Sequence, residues 1–284
     1  MFQCPSLTKP GLFVTGTDTE VGKTVVTCAI AAALREQHRR IKLGALKPLA
    51  SGCRRDREGL VNEDAEALAH FADCRLPLDV VNPIRFRTPV APAAAAEMER
   101  QEVDWSALSR SLTRLDEASD AVIVEGVGGL MVPLDPRNPR YMVGQLAKDI
   151  GYPVIVVCRP NLGTLNHTVM TVELLRQAGC RVSGLVINGL DRDPVVAAED
   201  PSIASNRDWL ERLTGVKVLA TLPKGRGVNP ARGKLDPSVV MAAAQVNWLD
   251  VMRPPEASSP GAFSGSSDRR KGVGFGRRSR DGAV

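Results

Sequence analysis

The sequence predicts an α/β fold of three layers, a doubly wound and mainly parallel sheet flanked by helices on both faces. Three observations predict it. Short apolar runs alternate with longer segments of helical periodicity between Leu12 and Leu249. These runs have no polar face, as in strands that are covered by helices on both sides. A glycine-rich loop joins the first apolar run to the first helical segment, at the edge of the sheet where ligands of such folds bind.

The individual elements follow from these periodicities. The runs short enough to be strands are Leu12–Thr15, Ile41–Leu46, Ala121–Val124, Val154–Val157, Val182–Ile187 and Val216–Ala220. The segments with helical spacing are Lys23–Gln37, Glu63–Phe71, Trp105–Ala118, Val143–Ile150, Leu165–Ala178, Asn206–Leu213 and Pro237–Leu249. Because parallel strands end at the same edge, polar residues that follow the strands are candidate site residues.

The glycine-rich loop, Gly16–Thr24, has the composition of a site for the phosphates of a nucleoside triphosphate. Its backbone N–H groups are expected to converge on phosphate oxygens, with Lys23 on the β- and γ-phosphates and the Thr24 hydroxyl on Mg²⁺. Thr17 stands where the first glycine of the usual loop is expected, so the loop is a variant. A solvated turn at the start of a helix is the alternative. The strand before the loop and the helix after it favour nucleotide binding and a fold of the P-loop NTPase type.

Positive charge is concentrated at the C-terminal end. The chain has 284 residues and a net charge of +5, and 7 Lys/Arg against 3 Asp/Glu lie in residues 253–284. This segment is Pro/Ser/Gly-rich and then Arg/Gly-rich, so we predict a disordered basic tail after one domain over residues 1–252. The nearly neutral domain predicts no nucleic-acid partner and no membrane partner. The alternative for the tail is contact with nucleic acid or a membrane surface through Arg269–Lys271 and Arg277–Arg278.

Cysteine and histidine usage argues against several chemistries. The six cysteines form no CxxC pair and several lie in apolar runs, which is typical of reduced and buried thiols. The histidines, His38, His70 and His167, are widely spaced, so zinc chemistry and a Ser-His-acid triad are poorly supported. No apolar run approaches the length of a membrane span and the N-terminus lacks the pattern of a leader peptide, so we expect a cytoplasmic enzyme.

A lysine and a serine follow the second predicted strand, in the segment Lys47–Gly52. In a parallel sheet they lie near the glycine-rich loop. There the ammonium of Lys47 and the hydroxyl of Ser51 suit an anionic reacting group beside a γ-phosphate. Taken alone, the segment is better explained as a surface lysine before a turn.

Two further segments contain carboxylates. Glu125 follows the third predicted strand, two strands from the loop, and begins the glycine-rich segment Glu125–Gly129. A carboxylate in that place is well positioned to hold Mg²⁺, and a tight turn is the alternative. Asp64 lies at the start of the second predicted helix. It is either a second Mg²⁺ ligand or an N-terminal helix residue favoured by the helix dipole, and the spacing leaves both open.

Four segments occur in a recognisable order: Gly16–Thr24, Lys47–Gly52, Asn62–Ala65 and Glu125–Gly129. Together they resemble the dethiobiotin synthetase family, and the Thr-Asp-Thr-Glu interior of the loop is their most specific part. Further matches are Asn82–Pro83, Leu162–His167 and Gly184–Asn188. The resemblance runs from Gly11 to Leu249 and is looser in the C-terminal third.

The resemblance implies an ATP-dependent cyclo-ligase that acts on 7,8-diaminopelargonic acid and CO₂, late in biotin synthesis. In that scheme an amine of the substrate captures CO₂ as a carbamate, whose oxygen attacks the γ-phosphate of ATP. The second amine then closes the ureido ring on the mixed anhydride and releases phosphate. The family is also homodimeric, with its site at the subunit interface.

The resemblance also implies roles for single residues. Lys23 and Lys47 would neutralise charge on the γ-phosphate and the carbamate, and the hydroxyls of Thr19 and Ser51 would donate hydrogen bonds to the carbamate. Asn166, in the segment that reaches substrate bound by the partner chain, would also contact the substrate. Its alternative role is a helix N-cap.

The implied metal ligands are Thr24, Asp64 and Glu125. Asn188 would read the adenine edge, and a Lys-Gly-Arg-Gly run after Pro223 departs from the apolar or aromatic residue that is usual there. The implied nucleotide contacts are Glu20, Val21, Gly22, Lys23, Thr24, Val25, Asp64, Glu125, Gly126, Val127, Gly128, Asn188, Gly189, Pro223, Lys224 and Gly225.

Other classes of protein share a P-loop. The ParA/MinD-type switch ATPases have a lysine early in the loop that reaches the partner's nucleotide, whereas this chain has Asp18, an anion that would repel phosphate. Amide synthases of the cobyrinate type need an ammonia source, and the residues after Leu249 are too few and too polar for a glutaminase domain. A protein that binds nucleotide without catalysis is disfavoured by Lys23, Lys47 and the two carboxylates.

Overall fold

Strands and helices alternate along the chain as predicted. A computed structural model describes residues 2–57, 59–191 and 193–253. Within these ranges the strands are β1 (Gly11–Gly16), β2 (Leu43–Leu46), β3 (Leu49–Ala50), β4 (Arg54–Asp56), β5 (Gly59–Val61), β6 (Ile84–Arg85), β7 (Ala121–Gly129), β8 (Pro133–Asp135), β9 (Asn138–Met142), β10 (Val154–Cys158), β11 (Val182–Leu190) and β12 (Val218–Pro223).

The helices in the same ranges are α1 (Lys23–Gln37), α2 (Glu63–Ala72), α3 (Leu78–Val81), α4 (Pro92–Glu99), α5 (Trp105–Ala118), α6 (Val143–Ile150), α7 (Thr164–Gln177), α8 (Pro194–Glu199), α9 (Ser202–Thr214), α10 (Pro237–Ala243) and α11 (Trp248–Met252), with a 3₁₀ helix at Pro230–Arg232. Five of them, α1, α2, α5, α6 and α7, match predicted segments within one residue at each end.

The central sheet has six strands in the order β12-β11-β10-β1-β7-β2. Every neighbouring pair in it is parallel, and every strand in it lies at one of the apolar runs of the sequence. Three two-stranded pairs, β3-β6, β4-β5 and β8-β9, lie outside it. The predicted parallel sheet is confirmed.

The two faces of the sheet are covered by different helices. Leu12 and Val14 of β1 pack in one apolar cluster with α1, α2, α10 and α11, whereas Phe13 packs in a second cluster with α5, α6 and α7. Successive strand residues point to opposite faces, so both faces of an apolar run are buried. The predicted three layers and double winding are therefore confirmed.

β7 differs from the predicted third strand in its position and its length. It lies directly beside β1 and pairs Glu125 with Val14, so Glu125 is one strand from the phosphate loop and not two. It also continues to Gly129, which pairs with Gly16. A Cβ on Gly126 would lie 3.2 Å from an aromatic ring of β1. The glycines let β7 continue beside the loop, where larger side chains would separate the two strands.

The prediction of a single helix over Pro237–Leu249 is wrong, because the chain turns between α10 and α11. Trp248 is fully buried, and its indole N–H donates a hydrogen bond to the carbonyl of Ala243 at 2.8 Å. In a continuous helix that carbonyl would accept the backbone N–H of Asn247. Burial of the indole therefore accompanies the break.

Other expectations concern the whole chain. All six cysteines are free. Within the described ranges, the helices are too short or too polar to span a membrane. Apart from Arg253, the predicted tail lies outside the described residues, so the domain boundary after residue 252 stays a prediction.

Asp116 on α5 attaches the N-terminal segment to the domain. Its buried carboxylate accepts the backbone N–H of Thr8 at 2.9 Å, the hydroxyl of Thr8 at 2.8 Å and the backbone N–H of Lys9 at 2.8 Å. Burial raises the pKa of Asp116, but these hydrogen bonds outweigh it and leave the pKa below its ordinary value. The ionised carboxylate therefore stabilises the attachment.

We expect Asp116→Asn to lower the free energy of unfolding at pH 7 by about 1–2 kcal/mol, because hydrogen bonds to a charged acceptor are replaced by weaker ones. A carboxyl whose pKa is lowered on folding stabilises the protein above its unfolded pKa and loses that effect as pH falls through the folded pKa. The difference between wild type and variant should therefore shrink below about pH 4. Urea unfolding at pH 7 and pH 3 measures it, and an equal difference at both would contradict the role.

Candidate active site

The phosphate loop, residues 17–22, lies between β1 and α1 at the carboxyl edge of the sheet. Glu20 and Gly22 have left-handed backbones, with φ of 58° and 86°. The N–H of Thr17 donates to a carbonyl of β10 at 3.0 Å, and Lys23 Nζ donates to the carbonyl of Asp18 at 2.9 Å. Left-handed turns of this kind form concave sites for anions. The loop is thus shaped for phosphates and attached to the elements on both sides.

Asn188, at the carboxyl end of β11, supports the same loop. Its Nδ2 donates a hydrogen bond to the carbonyl of Val21 at 3.0 Å. A Cβ on Gly22 would collide with this amide group, so only glycine fits between the loop and Asn188. Contact of Asn188 with an adenine stays a prediction, and support of the loop is a role that sequence reasoning missed.

Lys47 lies between two carboxylates at the centre of the site. Its Nζ is 2.5 Å from Glu125 Oε1, 3.1 Å from Asp64 Oδ2 and 3.4 Å from the carbonyl of Gly126. The Thr24 hydroxyl donates to the same Glu125 Oε1 at 2.8 Å. The side chain of Glu125 is 0% exposed, that of Lys47 4% and that of Asp64 45%. We call these four side chains, of Lys47, Glu125, Asp64 and Thr24, the acid–lysine cluster.

Burial and neighbouring charges shift the pKa values in this cluster. Burial lowers the pKa of Lys47, but the charges of Glu125 and Asp64 more than offset it and raise that pKa above its ordinary value. Burial, and then the charge of Lys47, lowers the pKa of Lys23 to about 8. Burial raises the pKa of Asp64, but Lys47 outweighs it, so the pKa is lowered. Lys47 and Asp64 are therefore held as an ion pair.

A cavity of about 290 Å³ adjoins the cluster. The residues expected from the sequence that line it are Thr19, Glu20, Gly22, Lys23, Thr24, Lys47, Ser51, Asp64, Glu125, Val127 and Gly128. Val21 and Val25 instead pack into the apolar cluster on the α1 face. The structure thus brings together the predicted phosphate, metal and carbamate residues in one place.

Some expected residues lie outside this cavity, namely Asn166, Asn188, Gly189, Pro223, Lys224 and Gly225. Asn166 is exposed within α7, whose N-cap is Gly163, so the alternative N-cap role for Asn166 is wrong. The adenine-side residue Lys224 bonds to β11 through its backbone N–H and pairs with Asp191 at 3.2 Å. The nucleotide contacts of residues 223–225 stay predictions.

Sequence reasoning missed Arg159, and it gave Asn82 no role beyond a match to the family. Asn82 is buried and its Nδ2 donates to the backbone carbonyl of Lys47 at 2.6 Å, so it fixes the end of β2. Arg159 Nη2 donates to the carbonyl of Thr19 at 3.3 Å. Arg159 directly follows the apolar run of β10, and the rule that site residues follow parallel strands would have found it.

The cluster has the donor set that suits Mg²⁺. Glu125 Oε2 is buried without a hydrogen-bond partner in the described part of the chain, which leaves a carboxylate oxygen for a cation, and Thr24 and Asp64 supply further oxygens beside it. No group of three His, Cys, Asp or Glu suited to a metal occurs in the described residues. Mg²⁺ commonly binds through one or two carboxylates together with substrate phosphates and water, so the residues fit this ion.

A parallel sheet with a variant phosphate loop after β1, and an acid–lysine cluster at the same edge, defines a P-loop nucleotide-binding protein. Two solved structures share the fold. The MinC:MinD cell division protein complex of Aquifex aeolicus has a TM-score of 0.52 and 12% identity, covering 83% of this chain and 94% of that chain. A ParA family ATPase from Chlorobium tepidum has a TM-score of 0.51 and 16% identity, covering 85% of this chain and 99% of that chain. These similarities concern the fold alone.

Sequence relatives define the family. A family model described as an AAA domain matches residues 10–232. The ATP-dependent dethiobiotin synthetase BioD of Bacillus licheniformis is 36% identical over 242 residues, covering 83% of this chain and 97% of the relative. The protein of the same name from Anaeromyxobacter sp. (strain K) is 41% identical over 213 residues, covering 75% of this chain and 89% of the relative. The chain belongs to the dethiobiotin synthetase family.

We expect Gly22→Ala to weaken ATP binding by at least roughly tenfold, because it adds left-handed strain and displaces Asn188 from the loop. Gly215→Ala is the matched control. Gly215 is also left-handed, with φ of 64°, but a Cβ there would meet only an arginine nitrogen at 3.9 Å. Calorimetric titration with ATP compares the two, and equal affinities would contradict the proposed packing of the loop.

Proposed function

We propose that the protein is an ATP-dependent dethiobiotin synthetase that carboxylates 7,8-diaminopelargonic acid with CO₂ and closes the ureido ring, as implied by the family. The observation that carries the proposal is the position of Lys47. This ammonium lies beside the phosphate loop and lines the same cavity as Thr19 and Ser51. An anion formed from the substrate can therefore meet a cation, two hydroxyl donors and a γ-phosphate in one place.

The residues divide the chemistry between them. In the proposed reaction, an amine of the substrate adds to CO₂ and the resulting carbamate is held by Lys47, Thr19 and Ser51. Lys23 leaves the carbonyl of Asp18 to bind the γ-phosphate, whose negative charge favours the ammonium form and so opposes the effect of burial on the pKa of Lys23. The carbamate oxygen attacks the γ-phosphorus, ADP leaves, and the second amine displaces phosphate from the anhydride carbon. Lys23, Lys47 and Thr19 are the proposed catalytic residues.

The proposed metal ligands are Thr24, Asp64 and Glu125, and Mg²⁺ bound there would neutralise charge on the phosphates. The backbone of Glu20–Val25 would wrap the phosphates, beside Gly126, Val127 and Gly128. Asn188, Gly189, Pro223, Lys224 and Gly225 are the proposed contacts of the base. Support for these assignments comes from the shape of the loop, the unpartnered oxygen of Glu125 and the family motifs.

We also propose a homodimer in which each chain completes the other's site. The cavity of about 290 Å³ is small for the triphosphate end of ATP together with an extended diamino acid, since small-molecule sites usually measure about 300–1,000 Å³. Asn166 lies outside its own chain's cavity. The helix that contains Asn166, α7, its neighbour α9 and the loop before α7 expose large apolar side chains, namely Leu162, Met170, Trp209 and Leu213. Clusters of exposed apolar side chains are typical of interaction surfaces.

The rival classes are less well supported. Similarity to ParA and MinD structures is limited to the fold, and the position of the switch lysine is occupied by Asp18. The relatives at 36–41% identity carry the name of a synthetase. A cytoplasmic location is part of the proposal, since six free cysteines suit a reducing compartment. The activity is assigned to residues 1–252.

We expect purified protein to release phosphate from Mg-ATP only when the diamine and bicarbonate are both present, because the carbamate accepts the phosphoryl group. A continuous phosphate assay measures this. Asp64→Asn should abolish the release, whereas Glu63→Gln, an exposed neighbour on the same helix turn, should leave it unchanged. Equal rates of phosphate release with and without the diamine would contradict the assignment as a dethiobiotin synthetase.

The composite site predicts complementation between inactive variants. Co-expressed Lys47→Ala and Asn166→Ala chains should recover about a quarter of wild-type activity, because half of the dimers are mixed and each mixed dimer has one intact site. Lys47→Ala with Ser51→Ala is the control. Both of these residues belong to one chain's cavity, so every site keeps a defect and no activity should return. Recovery in neither mixture would contradict the shared site.

A further inference from the structure

The ammonium of Lys47 has no donor left for a substrate. It has three N–H groups, and three protein oxygens lie within hydrogen-bond distance of it, on Glu125, Asp64 and the backbone of Gly126. A lysine that is to neutralise a carbamate must first leave at least one of these partners.

The carboxylates that hold Lys47 are also those proposed to hold Mg²⁺. Glu125 Oε1 accepts from both Lys47 and Thr24, and Asp64 supplies the second carboxylate. An ammonium and a divalent cation in contact with the same carboxylates repel each other strongly in a buried site. In the metal-free protein, Lys47 supplies the positive charge that a fully buried Glu125 requires.

We propose that Lys47 is the resident counter-ion of the metal site, and that metal binding exchanges its ammonium from Glu125 and Asp64 into the substrate cavity. The identities of the metal and the substrate rest on the proposed function. The exchange itself needs neither substrate nor turnover.

Lys47 has a fixed part and a movable part. Its backbone N–H donates to the carbonyl of Val81 at 2.7 Å, and its carbonyl accepts from Asn82 at 2.6 Å, so the end of β2 stays in place. Its side chain has a flexible four-carbon stem and lines the cavity together with Thr19 and Ser51. Rotation of the stem therefore brings the ammonium to the hydroxyls assigned to the carbamate.

The exchange couples two requirements of the reaction. While Lys47 pairs with the carboxylates, a carbamate in the cavity lacks its cation. Once the metal takes over the carboxylates, the same ammonium becomes available to the carbamate. The availability of Lys47 thus depends on the metal, and a carbamate gains its cation only in a site that also holds the metal needed for phosphoryl transfer.

The first test measures metal binding without substrate. Mn²⁺ alone is titrated into the full chain and free Mn²⁺ is followed by electron paramagnetic resonance. Lys47→Met removes the competing cation, so it should bind Mn²⁺ roughly tenfold more tightly or better than wild type, and Mn²⁺ should raise its melting temperature more. Lys148→Met, at an exposed lysine on α6, should match wild type. A folded Lys47→Met variant with equal or weaker Mn²⁺ affinity overturns the proposal.

The second test uses wild-type protein and decides the question if Lys47→Met does not fold. Amines are acetylated for a short time and the labelled peptides are quantified by mass spectrometry. Lys47 should react slowly without metal and several-fold faster with Mg²⁺, because its amine is then no longer held by Glu125 and Asp64, while Lys148 should react equally in both. Unchanged or slower labelling of Lys47 overturns the proposal. Neither test contains the diamine. A negative result in these tests would therefore overturn the exchange of Lys47 without bearing on the phosphate-release assay, which tests the proposed function.

Discussion

The buried ion pair between Glu125 and Lys47 is the interaction on which the rest of the site depends. A carboxylate with no exposed surface is costly unless a cation compensates it. Lys47 provides that cation only because β7 lies between β1 and β2, which brings the ends of both strands beside the phosphate loop. The fold thus keeps a carboxylate beside the phosphate loop, where its oxygens suit a metal ion.

Small residues keep the phosphate loop close to this charge. Gly126 and Gly129 let β7 continue beside β1, and Gly22 leaves room for the amide of Asn188 against the loop. Each contact joins the loop to a different strand of the same sheet. The loop is therefore supported by packing and hydrogen bonds on both sides before any nucleotide binds, which reduces the ordering that binding requires.

Much of this architecture could be predicted from the sequence. The six central strands coincide with apolar runs, because strands buried on both faces leave an unambiguous pattern. The strand order could not be read, since the place of β7 beside β1 depends on contacts between distant segments. For the same reason, the prediction that Glu125 lies two strands from the loop was wrong. The helix after Pro237 was also wrong, because burial of Trp248 overrode a continuous helical periodicity.

The candidate site was predictable where a residue type carries its own chemistry. Lys47 and Glu125 follow predicted strands, Lys23 lies in the glycine-rich loop, and all three are charged, so the residue type and its position indicate the same role. The role of Asn82 was missed because this side chain acts through the backbone of Lys47, and no local sequence pattern indicates that contact. Asn166 was placed correctly on a helix, but only the structure shows that it does not line its own chain's cavity.

This site is proposed to phosphorylate a carbamate made from the substrate. Bicarbonate labelled with ¹⁸O, supplied with the diamine and Mg-ATP, tests it by mass spectrometry of the released phosphate. If the carbamate oxygen attacks the γ-phosphorus, one labelled oxygen is transferred to phosphate for each ring that is closed. Phosphate that carries no label while dethiobiotin is formed would contradict the account.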